Sequence, residues 1–462
     1  MKETEKKIII CLIALICIFA NCFSITCMAE DNIKIIINGK ELQSADKAVI
    51  VDGRTLVPLR AIGEAMGCKV SWLNSAQTAN LENETTKVAM KIGSTVVSKL
   101  KRTNIEVQSK IVIDVPPKII NEKTYIPARA FAEALDAVVG WDGTTNTVMI
   151  VYDTTLKYLG NYEVETYAGT GERKKHDSGL STMAFVSPEG ISTNAKGDII
   201  VADSGMIRKL SNGKSETIEF EPTYITANLV RCFGNEIYVL TNEFQNTDGV
   251  KYYGIVKLTD AGAEGVFVTE ATYSKITDFD ISKDGKLYVI YNNVGVGQTY
   301  LGQLNLADSD INYITELDSG IKTLAVDDNG NIFLGNTVKG SLYFYNVSTG
   351  KLKLFAGADD KTKFVDGPNS MFFEPRRLDY SNGYLYVLDY NVVRRVSMDS
   401  AYQAVTAETL AGKVTAEQNP ETVNGKGSDV TFAPSYLMDM VVVGDDVYLT
   451  DPKNAVIRYI HN

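Results

Sequence analysis

The chain of 462 residues has only 2 histidines, 2 tryptophans, 11 prolines and 6 cysteines. Two histidines, His176 and His461, cannot build a three-histidine metal centre, and a histidine-based triad would have to use one of them. The chain also lacks the surplus of Lys and Arg that phosphate backbones and anionic lipid reward. Its formal charge of -11 therefore leads us to expect no nucleic-acid partner and no membrane contact beyond the leader. With 45% hydrophobic and 22% charged residues, wholesale disorder and a collagen-like chain are excluded. The length suits two to four domains.

The one long apolar run lies at the start. Lys2, Lys6 and Lys7 precede Ile8 to Ala20, and Cys27-Met28-Ala29 forms a small-residue exit. Residues 1–29 therefore read as a signal peptide cleaved after Ala29, and the protein as secreted or held at the cell envelope. No charge falls between Ile8 and Ala29, so an uncleaved anchor is the competing reading. Cleavage removes Cys11, Cys17, Cys22 and Cys27 and leaves Cys68 and Cys232, which fall in different domains and are not expected to pair. The leader holds three Lys and two Glu, so the mature charge becomes -12.

Two segments align without a gap at an offset of 69 residues. Val51-Asp52-Gly53-Arg54-Thr55-Leu56-Val57-Pro58-Leu59-Arg60-Ala61 matches Ile120-Asn121-Glu122-Lys123-Thr124-Tyr125-Ile126-Pro127-Ala128-Arg129-Ala130, and Trp72 matches Trp141. Each copy predicts strand, short helix, strand, with Pro58 or Pro127 entering the helix. Leu59, Ile62 and Met66, and likewise Ala128, Phe131 and Leu135, recur at helical spacing on the buried face. Arg60 with Glu64 and Arg129 with Glu133 have the spacing of ordinary i,i+4 surface pairs. A repeated tryptophan at a helix–strand junction reads as core in preference to a sugar-stacking platform.

These residues resemble the copper amine oxidase N-terminal, or stalk, domain over 33–152. The resemblance implies an extracellular α+β accessory module. The oxidase chemistry belongs to a separate domain with three copper-binding histidines, so neither amine oxidase activity nor copper is expected here.

From Leu156 the pattern changes to strand, two-residue turn, strand. The turns at Lys196-Gly197, Gly234-Asn235, Asp284-Gly285, Asn329-Gly330, Asn382-Gly383 and Asp445 recur about every 50 residues, the size of a four-stranded blade. Six units fill 156–462, which predicts an all-β six-bladed β-propeller. Phe185-x-x-Pro188, Phe373-Glu374-Pro375 and Phe432-Ala433-Pro434 open inner strands. Asp203 with Arg208, Asp389 with Arg394 and Asp451 with Arg458 follow second strands. These segments resemble the NHL-repeat type of propeller. A spare strand at Tyr162 to Gly169 precedes unit one, while unit six ends after its third strand. The N-terminal strand should therefore close the ring against 456–460.

Catalytic candidates are few. Asp280-x-Ser282-x-Asp284-Gly285 starts like a calcium loop, but its twelfth position is Tyr291, so a hairpin explains it better and calcium is unsupported. Asp203, Asp389 and Asp451 read as turn-bonding, and the three arginines as ties between blades. The residues expected to open the inner strands at the channel mouth are Glu189, Ala227, Thr277, Lys322, Arg376 and Ser435. No catalytic, cofactor or metal residue is assigned. Two functions follow: a non-catalytic binding protein whose partner is a protein or a cell-wall glycan, or a carboxylate- or calcium-dependent propeller enzyme of lactonase or lyase type.

Overall fold

A computed structural model describes residues 33–462 apart from 39, 84–85, 103–105, 136, 143–145, 153–155, 221–226, 246–250, 260–261, 271–273, 294, 296, 359–362, 404 and 416–419. The signal-peptide reading of 1–29 lies outside the described residues.

In the first domain, strand Arg54–Pro58 runs directly into helix α1, Leu59–Ala65, and strand Lys123–Pro127 into helix α2, Ala128–Ala134. The two copies meet strand to strand, with Tyr125 opposite Pro58 and Pro127 opposite Leu56. One core serves both: Leu59 and Ile62 from the first helix pack in the same cluster as Ile126 and Phe131 from the second copy. Met66, Ala128 and Leu135 are also buried, as the helical spacing predicts. Gly63 lies so close to the sheet that a Cβ there would sit 2.7 Å from Leu81 Cδ2, which is why this helix can pack flat on its neighbouring strands. The copies differ outside the shared hairpin. Lys69–Leu73 starts a five-stranded sheet running to Glu106–Val112, whereas Val138–Asp142 and Thr147–Val151 are extended by the domain's first strand, Lys34–Ile37.

The remainder is a six-bladed β-propeller. Blades one to five are four-stranded antiparallel sheets, taken in chain order from Pro188–Thr193 to Thr406–Ala411. Blade six is assembled from both ends of the domain. Its order is Met440–Val443, Asp446–Asp451, Val456–His461, then Glu163–Ala168, then the short Gly425–Lys426. Glu163 faces His461 and Val164 faces Ile460, so the early strand closes the ring as the strand count predicts. The chain reaches that strand over blade five, where the Lys157 N–H donates to Asp366 Oδ2 at 2.7 Å. Tight turns match the hairpin signals: Asn382 and Gly383 both take positive φ, 51° and 82°, between strands of blade five. Apolar side chains fill the spaces between neighbouring blades, as where Phe333 and Phe355 pack in one cluster with Leu378 and Leu385.

The repeated Asp and Arg form buried anchors. Asp203 accepts the N–H groups of Val186 and Ser187, and Arg208 bridges Asp203 at 2.9 Å to Asp177 at 2.6 Å. Arg394 likewise bridges Asp389 at 3.0 Å and Asp366 at 2.7 Å. Each arginine thus fastens its blade to the segment entering from the previous one. Asp203 and Asp389 bond the start of their own inner strand rather than their own turn. Only Asp451 bonds its turn, through the Asn454 N–H and Nδ2. In blade six, among the described residues, Arg458 bonds neither carboxylate: its Nη2 donates to the Val423 carbonyl at 2.6 Å and to Asn424 Oδ1 at 3.3 Å. The aromatic partners are Phe185, Phe372 and Phe432, so the blade-five residue in this role is Phe372 rather than Phe373.

This difference gives an unequal pair of mutations. Arg394→Met strands two buried carboxylates and should cost about 3–5 kcal/mol in denaturant unfolding. Arg458→Met removes hydrogen bonds to carbonyls only and should cost about 1–2 kcal/mol. Equal losses would contradict the assignment.

Candidate functional site

In five blades the inner strand opens on a β-bulge at one equivalent place. The register shifts between Pro188 and Ile191, Ala227 and Leu229, Ile276 and Asp278, Ile321 and Thr323, and Pro375 and Arg377. A bulge lifts a residue out of the ladder and re-aims its side chain. The lifted residues include Glu189, Asn228, Thr277, Lys322 and Arg376, one at the equivalent bulge of each inner strand, and these positions define the rim. Four of the residues expected at the mouth, Glu189, Thr277, Lys322 and Arg376, are the lifted ones of their blades. Ala227 and Ser435 are not lifted in this way. Ala227 is fully buried opposite Thr241, and the lifted residue of blade two is Asn228. Ser435 lies outside the strand, just before a turn at 436–437, because the inner strand of blade six begins only at Met440. Its Oγ accepts the Leu437 N–H, and the intervening segment leaves Tyr436 65% and Leu437 43% exposed.

The rim mixes chemistries. Burial pushes the Glu189 carboxyl up to about 7, helped by the nearby Asp203 and opposed by a hydrogen bond from Ser187. Burial lowers the Lys322 pKa. Thr277 is tied to the Ile290 carbonyl. Arg376 pairs with Glu374 at 2.7 Å and lies between two aromatic rings, 4.5 Å from the Tyr390 centroid and 4.1 Å from that of Tyr436. Among the described residues, its Nε and Nη1 are buried without hydrogen-bond partners.

Below the rim the axis is crossed by charges that the sequence reading did not single out. Arg231 of blade two bonds Asp439 of blade six at 2.9 Å and lies 4.0 Å from Asp278 of blade three. Arg377 of blade five approaches Asp439 at 3.6 Å. Burial alone would lower the Arg231 pKa, but Asp439 and Asp278 outweigh it and hold the value above the ordinary arginine range. The carboxylates also accept backbone N–H groups from the next blade: Asp278 from Leu324, Asp280 from Val326, Asp379 from Val442 and Asp439 from Ile191. The calcium-loop lookalike is accordingly a hairpin whose Asp280 fastens blade three to blade four, and whose Asp284 accepts from Ser282 and pairs with Lys286. Among the described residues, no group of three or more His, Cys, Asp or Glu side chains is arranged to hold a metal. Cys68 and Cys232 are free thiols in separate domains.

Residues 36–150 match the copper amine oxidase N-terminal domain family. That copper amine oxidase N-terminal domain contains no histidine in this chain, so its residues do not fit a copper centre. No curated protein matches the sequence. Among solved structures, a structural genomics protein of unknown function from Bacteroides thetaiotaomicron shares 16% identity at a TM-score of 0.51, covering 85% of this chain and 97% of its own. An auxiliary nutrient binding protein from the same organism shares 14% identity at a TM-score of 0.47, covering 81% and 93%. A virginiamycin B lyase from Staphylococcus aureus shares 11% at 0.37, covering 65% and 99%. The first bears on the fold alone, and the two weaker matches carry no argument about this chain.

The raised Glu189 pKa has a stability consequence. Its folded value near 7 exceeds the ordinary 4.5, so the native state favours the protonated acid. That contribution is fully present below about pH 4.5 and is lost as pH rises through about 7. The stability of the native protein relative to Glu189→Gln, measured as a denaturant midpoint difference, should fall across this interval. A difference that stays flat or rises would contradict the burial of this carboxyl.

Proposed function

We propose that the protein is an exported, non-catalytic binding protein, with the N-terminal domain as its envelope-facing module and the propeller rim as a platform for a protein partner. The rim composition carries this reading. Tyr436 and Leu437 stand exposed beside the aromatic-clamped Arg376, and Val338 is 64% exposed in the loop between the second and third strands of blade four. Aromatic, aliphatic and arginine side chains ringed by polar ones are what the centre of a protein interface uses. The axial carboxylates are engaged in holding neighbouring blades together, which supports binding at the rim over chemistry in the channel.

A photo-cross-linking residue placed at Tyr436 in the producing cell should yield one defined protein adduct. The same residue at Val112, which is 78% exposed on the N-terminal domain, should not yield it. Indistinguishable adducts from both positions would count against the rim. So would turnover of a lactone panel that is lost in Glu189→Gln.

A further inference from the structure

The strongest unassigned feature lies in the N-terminal domain, where the two copies of the repeat face each other across a cleft of about 500 Å³. That volume falls within the ~300–1,000 Å³ of clefts that hold small ligands. Its floor is apolar, made by Pro58, Leu59 and Ala79. Trp72 forms one wall. This tryptophan packs partly on the core, but it is only half-buried, and its Nε1 is fixed by a 2.6 Å hydrogen bond to Asn74 Oδ1. The expectation that it is purely a core residue is therefore incomplete. For Trp141 the side chain lies outside the described residues, so the pairing of the two tryptophans goes no further than sequence.

The polar lining comes from both copies. Arg60 leads from the first turn of helix α1 of copy one, and Gln77 from the turn after Trp72. Glu122 and Lys123 belong to the hairpin of copy two. Lys123 is paired with Asp46. Arg60 and Glu122 are exposed, and among the described residues neither side chain has a hydrogen bond or ion pair. The i,i+4 partnership expected between Arg60 and Glu64 is not formed, and that expected for Arg129 rests on Glu133, whose side chain lies outside the described residues. Glu122 also occupies a left-handed backbone conformation, φ 64°, where the matching residue of copy one is Gly53. Glycine takes such a conformation without steric cost and glutamate does not, so copy two tolerates strain to place a carboxylate at this rim.

We propose that this cleft is a saccharide subsite that takes a neutral N-acetylhexosamine chain, with a pyranose ring stacked on Trp72. The lining charges cancel in number, Arg60 against Glu122 and Lys123 against Asp46, which suits an uncharged ligand. Free donors on Arg60 and free acceptors on Glu122 match hydroxyl groups, which both donate and accept. The half-exposed Ile119 at the edge gives an acetyl methyl an apolar surface. The proposal deepens the reading of this domain as the envelope-facing module and is independent of the propeller rim.

Calorimetric titration of the full mature chain with the tetramer of β-1,4-linked N-acetylglucosamine tests it. Saturable binding is expected, unaffected by raised salt and unchanged in Lys322→Ala at the propeller rim. Arg60→Ala and Glu122→Gln, both at exposed positions, should each weaken it about tenfold through loss of a hydrogen bond to a charged group. Trp72→Ala should abolish binding, and Trp72→Phe, which keeps an aromatic face, should restore part of it. No binding by the native chain, or native affinity retained in both Arg60→Ala and Glu122→Gln, would overturn the saccharide site while leaving the rim reading intact.

Discussion

Strand Glu163–Ala168 lies against Val456–His461, and the propeller depends on that pairing because it joins the first strand of the domain to the last. Without it, blade six would keep only its three C-terminal main strands and expose an unpaired edge, while the space beside blade one would open. The five bulged inner strands form a rim only if the ring is shut, since each is aimed by its place around one axis. The contacts that cross the axis have the same requirement. Arg231 reaches from blade two to Asp439 in blade six, and the Asp439 carboxylate accepts a backbone N–H from blade one. Three blades on both sides of the closure therefore share one carboxylate.

Around this closure the charged residues divide by task. Asp203, Asp389 and their arginines are fully buried and tie each blade to the segment that enters it. Asp278, Asp280, Asp379 and Asp439 fasten inner strand to inner strand. Burial, with the neighbouring Asp280 second, drives the Asp379 pKa to about 7, and burial drives Asp280 to about 6. Groups so placed are costly to charge and are stabilised by backbone donors, a structural arrangement before it is a reactive one. Exposed side chains remain at the surface: Tyr436 and Leu437 beside Arg376, and Arg60 and Glu122 on the N-terminal cleft.

Much of the architecture was legible in the sequence, because it is written in local patterns. Asn382-Gly383 and its counterparts mark hairpins, Pro58 and Pro127 mark helix entries, and a count of strands predicts the closure. The sites were less legible. Asn228 was missed because blade two has no Phe-x-x-Pro marker from which to count its bulge. Ser435 was misplaced because residues 435–439 are inserted after the Pro434 that usually starts an inner strand. The axial carboxylates find their partners 46 residues away or more, as Asp278 does with Leu324, so no spacing within a blade announces them. The cleft needs Trp72 of one copy beside Glu122 of the other, a juxtaposition that arises only when strands Arg54–Pro58 and Lys123–Pro127 pair.

Residue-resolved amide hydrogen exchange on the whole protein tests the closure most directly. The account predicts that the amides of Glu163–Ala168 that point into the ladder exchange as slowly as their partners in Val456–His461, and that both segments open together with the global unfolding of the propeller. Rapid exchange of Glu163–Ala168 while blades one to five stay protected would contradict it.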